Sequence, residues 1–367
     1  MTTTERTAAS FFLPSDEPLG LITADGAPVA DAALEMPADD VLLRLHRAMV
    51  SGRRFDAQAT ALTKQGRLAV YPSARGQEAG EIGSILALRP QDWLFPTYRD
   101  SMAVVARGVD PVEVLTLLRG DWHCGYDPYR ANVAPQCTPL ATNTLHAVGF
   151  AHAAKTKGED TVALVLLGDG ATSEGDTHEA LNFAAVWQSP VVFLVQNNGY
   201  AISVPLSKQT AAPSLAHKGV GYGMPSVLVD GNDAAAVHAV VEQAVARAAA
   251  GGGPTLIEAL TYRIESHTNA DDATRYRDRV EVEAWLTRDP IARLERYLTD
   301  RGLLDDVARE EIAVRAEAEA ASLRERMNVD TVLDPADLFR HVYAEPTAAL
   351  RRQAEDLTAE LSFGAEE

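Results

Sequence analysis

The chain has 367 residues, 46% of them hydrophobic, with 33 Lys and Arg against 52 Asp and Glu, for a formal net charge of −19. That hydrophobic share is enough for a sizeable core, and the acidic balance argues against a nucleic-acid partner and against anionic membrane surfaces. Cys124 and Cys137 are the only cysteines, so no disulfide framework is expected, and no uninterrupted apolar run approaches the roughly 18 residues of a membrane helix.

Residues 1–38 mix Thr, Ala, Pro and Asp with few periodic apolar positions. They read as an irregular arm without a signal-peptide core or an arginine-rich presequence, and a cytoplasmic location is expected. Asp39 or Asp40 can cap a helix whose face includes Leu42, Leu45, Met49 and Leu62, with Gly52 as an interruption. Residues 76–88 repeat the helical pattern, 93–98 form a short strand or turn, and Pro111 opens a helix to residue 118. The stretch 120–138 contains Gly125, Pro128 and Pro135 and reads as loop. Within it, His123 beside Cys124 lacks the second ligand pair that a metal finger needs. Residues 142–155 read as a small-residue helix.

The densest signal follows. The apolar run 162–167 reads as a strand buried on both faces and leads into Gly168-Asp169-Gly170. Residues 176–187 carry Ala180, Leu181, Ala184 and Ala185 at helical spacing, and a second buried strand, 191–195, delivers Asn197 and Asn198. Oxygen ligands thus stand at the carboxyl ends of two strands, where open α/β sheets bind ligands. Mg²⁺ takes octahedral oxygen coordination, usually one or two protein groups plus phosphate oxygens. The Asp169 carboxylate, the Asn198 amide oxygen and the carbonyl of Tyr200 suit that share, and Gly168 and Gly170 permit close backbone approach to a diphosphate. A lone Gly-Asp-Gly fits an ordinary βαβ turn. Its pairing with Asn-Asn at the next strand end is much more specific.

Further along, 226–229 and 255–262 read as strands around an alanine-rich helix, 234–250, stopped by Gly251, Gly252, Gly253 and Pro254. Residues 264–279 are polar and aperiodic, a loop with little to bury and so expected to be mobile until a ligand orders it. The tail 305–327 reads as a charged helix with solvated faces, and no internal repeat is present. The even alternation of strands and helices predicts one α/β domain with terminal extensions: an arm 1–38, a domain 39–300 and a helical extension 301–367.

Four blocks together resemble the alpha subunit of the thiamine diphosphate-dependent first component of 2-oxo acid dehydrogenase complexes. They are Gly168-Asp169-Gly170-Ala171 with Asn197-Asn198-Gly199-Tyr200, Thr97-Tyr98-Arg99-Asp100, Arg263 with His267, Asp271 and Asp272, and Trp285 with Asp289-Pro290-Ile291. The resemblance covers about residues 40–300. It implies a thiamine diphosphate-binding α/β fold, a mostly parallel sheet with helices on both faces, and thiamine diphosphate with Mg²⁺ as cofactors. It places Tyr98, Arg99, Thr138, Leu140, Gly168, Asp169, Gly170, Ala171, Asn198, Arg263 and His267 around the cofactor, with Asp169, Asn198 and the Tyr200 carbonyl on the metal. Leu140 would be the wedge under a bent cofactor, and His267 the catalytic proton donor or acceptor. Gln196 stands where some relatives carry a phosphate-binding arginine.

Members of this kind take the activating glutamate from a beta subunit, and this chain holds one diphosphate-type unit, so half of an α₂β₂ active site is implied. Its other partners would be a lipoyl-bearing acyltransferase and a small 2-oxo acid. The paired Asp271-Asp272 after His267 looks closer to branched-chain members, which favours 3-methyl-2-oxobutanoate over pyruvate or acetoin. A non-catalytic scaffold would have little reason to keep Asp169, Asn198 and His267 together.

Overall fold

The computed structural model describes residues 13–364 apart from positions 31, 122, 123, 331 and 333. Residues 1–12 of the arm and His123 therefore lie outside the described residues. The described chain up to Arg326 forms one compact unit, and the chain beyond it a second, with helices Asp337–Arg340 and Ala348–Gly364.

The first unit is built on a parallel sheet of β1 (Trp93–Phe95), β2 (Ala163–Gly168), β3 (Val191–Asn197), β6 (Ser226–Asp230) and β7 (Thr255–Leu260). The short strands β4 (Tyr200–Ala201) and β5 (Val204–Pro205) pair antiparallel outside it. Across the sheet the order is β1-β2-β3-β7-β6. The chain steps outward from β1 to β3, jumps to β6 and returns through the helix Ala234–Ala249 to β7. The order thus reverses between β3 and β7, and ligands bind at such a switch point.

The apolar runs are explained by burial on both faces. Side chains alternate along a strand. Leu164, Leu166, Val192 and Leu194 enter one core cluster, with residues of the helices Asp39–Lys64, Glu78–Leu86 and Ala234–Ala249. Val165, Leu167, Phe193 and Val195 enter the other, against the helices Thr142–Lys157 and Gly175–Trp187. Among the described residues no helix is long and apolar enough to cross a membrane.

Several local expectations change. Asp39 does not cap its helix. The capping position is Ala38, without a side-chain bond, and Asp39 lies in the first turn, where an acidic side chain suits the helix dipole and pairs with Arg301 at 2.7 Å. Gly52 does not interrupt that helix. It lets the helix approach Met102 so closely that a Cβ would stand 2.5 Å from the thioether. The helix Asp306–Met327 is not solvated all round. Ile312, Ala316, Ala320 and Leu323 are buried at helical spacing, a stripe made mostly of alanine and therefore weak in sequence. The short helices Ser101–Ala106 and His217–Gly221 and the longer Pro290–Asp300 had no reading as helices, and the stretch 120–138 is not all loop, because Asp127 caps the short helix Pro128–Ala131.

The described part of the arm is irregular but tied down. Leu21 and Ile22 are buried, and both backbone N–H groups donate to Asp233 Oδ2 at 2.7 Å. Asp233 Oδ1 caps the following helix through Ala235 and Ala236, while Arg293 donates to Asp230 and to the Ile22 carbonyl. One buried carboxylate thus joins arm, sheet edge and helix N-terminus. Removing one partner of such a network leaves buried donors unpaired. Asp233→Ala is expected to cost about 3–5 kcal/mol in chemical denaturation and to expose the arm around Leu21 to protease. An arm as resistant as in the unchanged protein would contradict this.

Candidate active site

The carboxyl ends of β1, β2, β3 and β7 open around one cavity of about 200 Å³. From β1 come Tyr98 and Arg99, from β2 Gly168, Asp169, Gly170 and Ala171, from β3 Asn198 and Tyr200, and from β7 Arg263 and His267. Leu140 lines it from the segment before the Thr142 helix and is partly exposed. Ten of the eleven cofactor residues expected from sequence therefore meet here, with Tyr200. Thr138 does not line the cavity. Its side chain is exposed, and its neighbours Cys137 and Pro139 form that wall. A larger cavity, about 760 Å³, lies elsewhere against Gly52, Met102 and Leu323. None of the motif residues reaches it. Of its carboxylates, Asp110, Glu113 and Glu319 are paired with Arg326, Arg130 and Arg315, and Asp127 accepts from the Tyr129 N–H as a helix cap.

Asp169 is 1% exposed, and burial pushes its carboxyl above the usual range, against the Gln209 amide that donates to Oδ2 at 2.7 Å and the nearby Arg263 charge. A buried carboxylate held by a neutral amide suits a cation beside it. Gly170 lies so near the hairpin that a Cβ would stand 2.7 Å from the Ala201 methyl. The Tyr200 carbonyl accepts from Arg263 Nη1 at 3.3 Å, which leaves a second lone pair for a cation.

Arg263 is 1% exposed and donates to the Ile202 carbonyl at 2.7 Å and to the Tyr276 hydroxyl at 3.0 Å. These bonds hold the β4–β5 turn and the loop after β7 together. Among the described residues the buried Arg263 Nε has no hydrogen-bond partner. The β4–β5 turn holds Ile202 at φ 57°, a costly region for a β-branched residue, at the rim of the cavity.

Arg99 is not engaged with Asp92 or Asp100. Nη1 donates to the Ser73 carbonyl at 2.8 Å, and Nη2 to His267 Nδ1 at 3.0 Å and the His267 carbonyl at 3.1 Å. The Ser73 segment is itself fixed by Asp56, which accepts from Tyr71, Ser73 and the Ala74 N–H. With Nδ1 accepting from Arg99, the proton of the neutral imidazole sits on Nε2. The loop after β7 also has structure of its own. Asp271 accepts from the His267 N–H at 2.8 Å and from the Tyr276 hydroxyl at 2.5 Å, and residues 273–275 form a 3₁₀ turn capped by Asp272.

Sequence reasoning missed Gln77, Asp100, Glu174, Ile202 and Gln209, of which all but Gln209 line the cavity. Asp100 stood inside a quoted block, but Gln77 and Gln209 carry no signal, because uncharged amides far apart in the chain meet only through the fold.

Residues 46–328 match the family described as dehydrogenase E1 component. The chain is 49% identical over 347 residues, 94% of its length and 95% of the relative's, to the 3-methyl-2-oxobutanoate dehydrogenase subunit alpha of Mycobacterium tuberculosis (strain ATCC 25618 / H37Rv). It is 38% identical over 316 residues, 86% of its length and 85% of the relative's, to the pyruvate dehydrogenase E1 component subunit alpha of Staphylococcus aureus (strain Mu50 / ATCC 700699).

Burial, then the charges of Arg99 and Arg263, push the His267 pKa down to about 4. Because the folded pKa lies below the unfolded one, the unfolded chain takes up this proton first, and the cost to stability grows as pH falls from about 6.5 towards 4. The labelled His267 imidazole is expected to show no NMR titration between about pH 5 and 8, and in Arg99→Met its midpoint should rise into that window. A wild-type midpoint near 6.5 would refute the assignment.

Proposed function

The chain belongs to the dehydrogenase E1 component family, whose enzymes use thiamine diphosphate, and we propose that it is the alpha subunit of a 2-oxo acid dehydrogenase of the branched-chain type, acting on 3-methyl-2-oxobutanoate. The observation that carries this reading is the meeting of Asp169, Asn198, the Tyr200 carbonyl, Arg99 and His267 at four adjacent strand ends.

The residues present fit thiamine diphosphate with Mg²⁺. A buried carboxylate, an amide oxygen and a carbonyl offer an oxygen set for the cation, the Arg99 and Arg263 guanidinium groups bring positive charge that suits a diphosphate, and Leu140 offers an apolar support. When bound, thiamine diphosphate supplies the nucleophilic carbon and the electron sink for decarboxylation. Asp169 and Asn198 would hold the cation. Burial, with Arg99 and Arg263, keeps His267 neutral, and the Arg99 bond to Nδ1 holds it turned, so that Nε2–H is the atom from which a proton can be donated to the reacting oxygen.

Two features support a beta partner. The cavity, about 200 Å³, is smaller than the roughly 300–1,000 Å³ of complete small-molecule sites. Phe183, Val186 and Trp187 also stand exposed along the Gly175 helix, with the two rings 4.6 Å apart, an apolar strip of the kind that marks an interaction surface. In this reading the acyl group passes to the lipoyl arm of an acyltransferase.

Substrate choice rests on the greater likeness to the branched-chain relative and on Asp271, which anchors the catalytic loop through His267 and Tyr276. On the assembled α₂β₂ enzyme, kcat/KM for 3-methyl-2-oxobutanoate is expected to exceed that for pyruvate by about tenfold or more, about 1.4 kcal/mol in transition-state binding. The reverse preference would overturn the substrate. In the same assembly, Asp169→Ala should lose Mg²⁺-dependent cofactor binding in calorimetry, and the chain without its partner should be inactive.

A further inference from the structure

Four buried side chains run in one line from the strand β1 exit to Asn198. Thr97 donates to Asp100 Oδ2 through its N–H at 2.6 Å and its hydroxyl at 2.7 Å. Gln196 Nε2 donates to Asp100 Oδ1 at 2.6 Å, Gln77 Nε2 donates to Gln196 Oε1 at 3.1 Å, and Asn198 Nδ2 donates to Gln77 Oε1 at 2.9 Å. Asp100, Gln77, Gln196 and Asn198 are 0%, 1%, 3% and 6% exposed, so water does not compete for these bonds.

A primary amide can be turned end for end with little change in shape, and the bond that Asn198 Oδ1 accepts within its own segment, from the Tyr200 N–H, is long at 3.4 Å, so which end faces the cavity is set mainly elsewhere. The line decides it. A carboxylate is acceptor-only, and Asp100 already takes two donors from Thr97. Gln196 must therefore show Asp100 its NH₂ and show Gln77 its oxygen. Gln77 must answer with NH₂ and turn its own oxygen to Asn198. Asn198 must then spend its NH₂ on Gln77, which leaves its oxygen for the cation.

We propose that Gln77 is a positioning residue of the cation site, holding the Asn198 oxygen towards the metal, and that Asp100 sets the polarity of the whole line from its far end. The proposal rests on the reading of Asp169 and Asn198 as cation ligands and deepens it. It also gives Gln196 a role: this side chain serves as a neutral link between Asp100 and Gln77.

The test is Mn²⁺ affinity by electron paramagnetic resonance, with saturating thiamine diphosphate, on the chain assembled with its beta partner. Outer partners of metal ligands typically contribute 10–100-fold to affinity. Gln77→Met, similar in shape but with only a weak thioether acceptor and no donor, should bind Mn²⁺ about tenfold more weakly or worse. Gln77→Glu should stay close to wild type, because a buried carboxyl facing the Gln196 oxygen is held protonated, donates to Gln196 and accepts from Asn198. A role confined to packing would not separate these two. Asp100→Asn, which touches no ligand, should weaken binding in the same direction, because its amide allows either polarity. If Gln77→Met does not assemble, Asp100→Asn reads the same quantity. Unchanged affinity in Gln77→Met or Asp100→Asn, or equal loss in Gln77→Glu and Gln77→Met, overturns the proposal. Asp169→Ala separates the two levels: retained Mn²⁺ there removes the cation reading and the proposal with it, whereas loss there with no effect at Gln77 removes the proposal alone.

Discussion

Strand β3 is hydrogen-bonded on both edges to parallel neighbours, with Gly168 opposite Gln196 and Asn197 opposite Leu260. In this register the chains leaving β2, β3 and β7 emerge side by side, and β1 adds a fourth exit beyond β2. Parallel strands need long crossovers, so each exit turns away into a separate loop or helix. The result is a set of loops from distant parts of the sequence, residues 96–100, 168–171, 197–200 and 261–267, around one hollow. If β7 did not return between β3 and β6, neither Arg263 nor His267 would reach Asp169.

Within the hollow, charge is managed by neutral groups as much as by ions. Asp169 is met by an amide from Gln209, and Asn198 by an amide from Gln77. Of the two buried arginines, Arg99 is spent on the Ser73 carbonyl and the catalytic loop, and Arg263 on the hairpin carbonyls. Both also lower the His267 pKa, so the basic groups that suit a diphosphate keep the histidine uncharged as well. A first helix far from the reacting atoms takes part through Asp56, which fixes Ser73 and so Arg99.

Much of this was legible in the residues. The two apolar runs, 162–167 and 191–195, read as strands because each is buried on both faces and needs no polar alternation. The ligand pair at their ends was legible because Asp169 and Asn198 each follow a strand directly. His267 was harder. From residues alone it is a polar-loop histidine, and only the resemblance raised it to a catalytic candidate. The buried face of the helix Asp306–Met327 was missed because alanine at four-residue spacing carries little hydrophobic signal, and the helix Pro290–Asp300 because it was read only as a motif segment.

What the sequence by itself determined is the strand–turn–helix–strand unit and its oxygen ligands, because strand period, glycine turns and helix spacing are local properties. What only the tertiary structure decided is which way those ligands face. The orientation of Asn198 depends on Gln77 and, through Gln196, on Asp100, and the tautomer of His267 on Arg99; Gln77, Asp100 and Arg99 stand about a hundred residues or more from the groups they set. Hydrogen-bond polarity is set by whichever acceptor-only group ends the line, and no spacing rule within one segment carries that information.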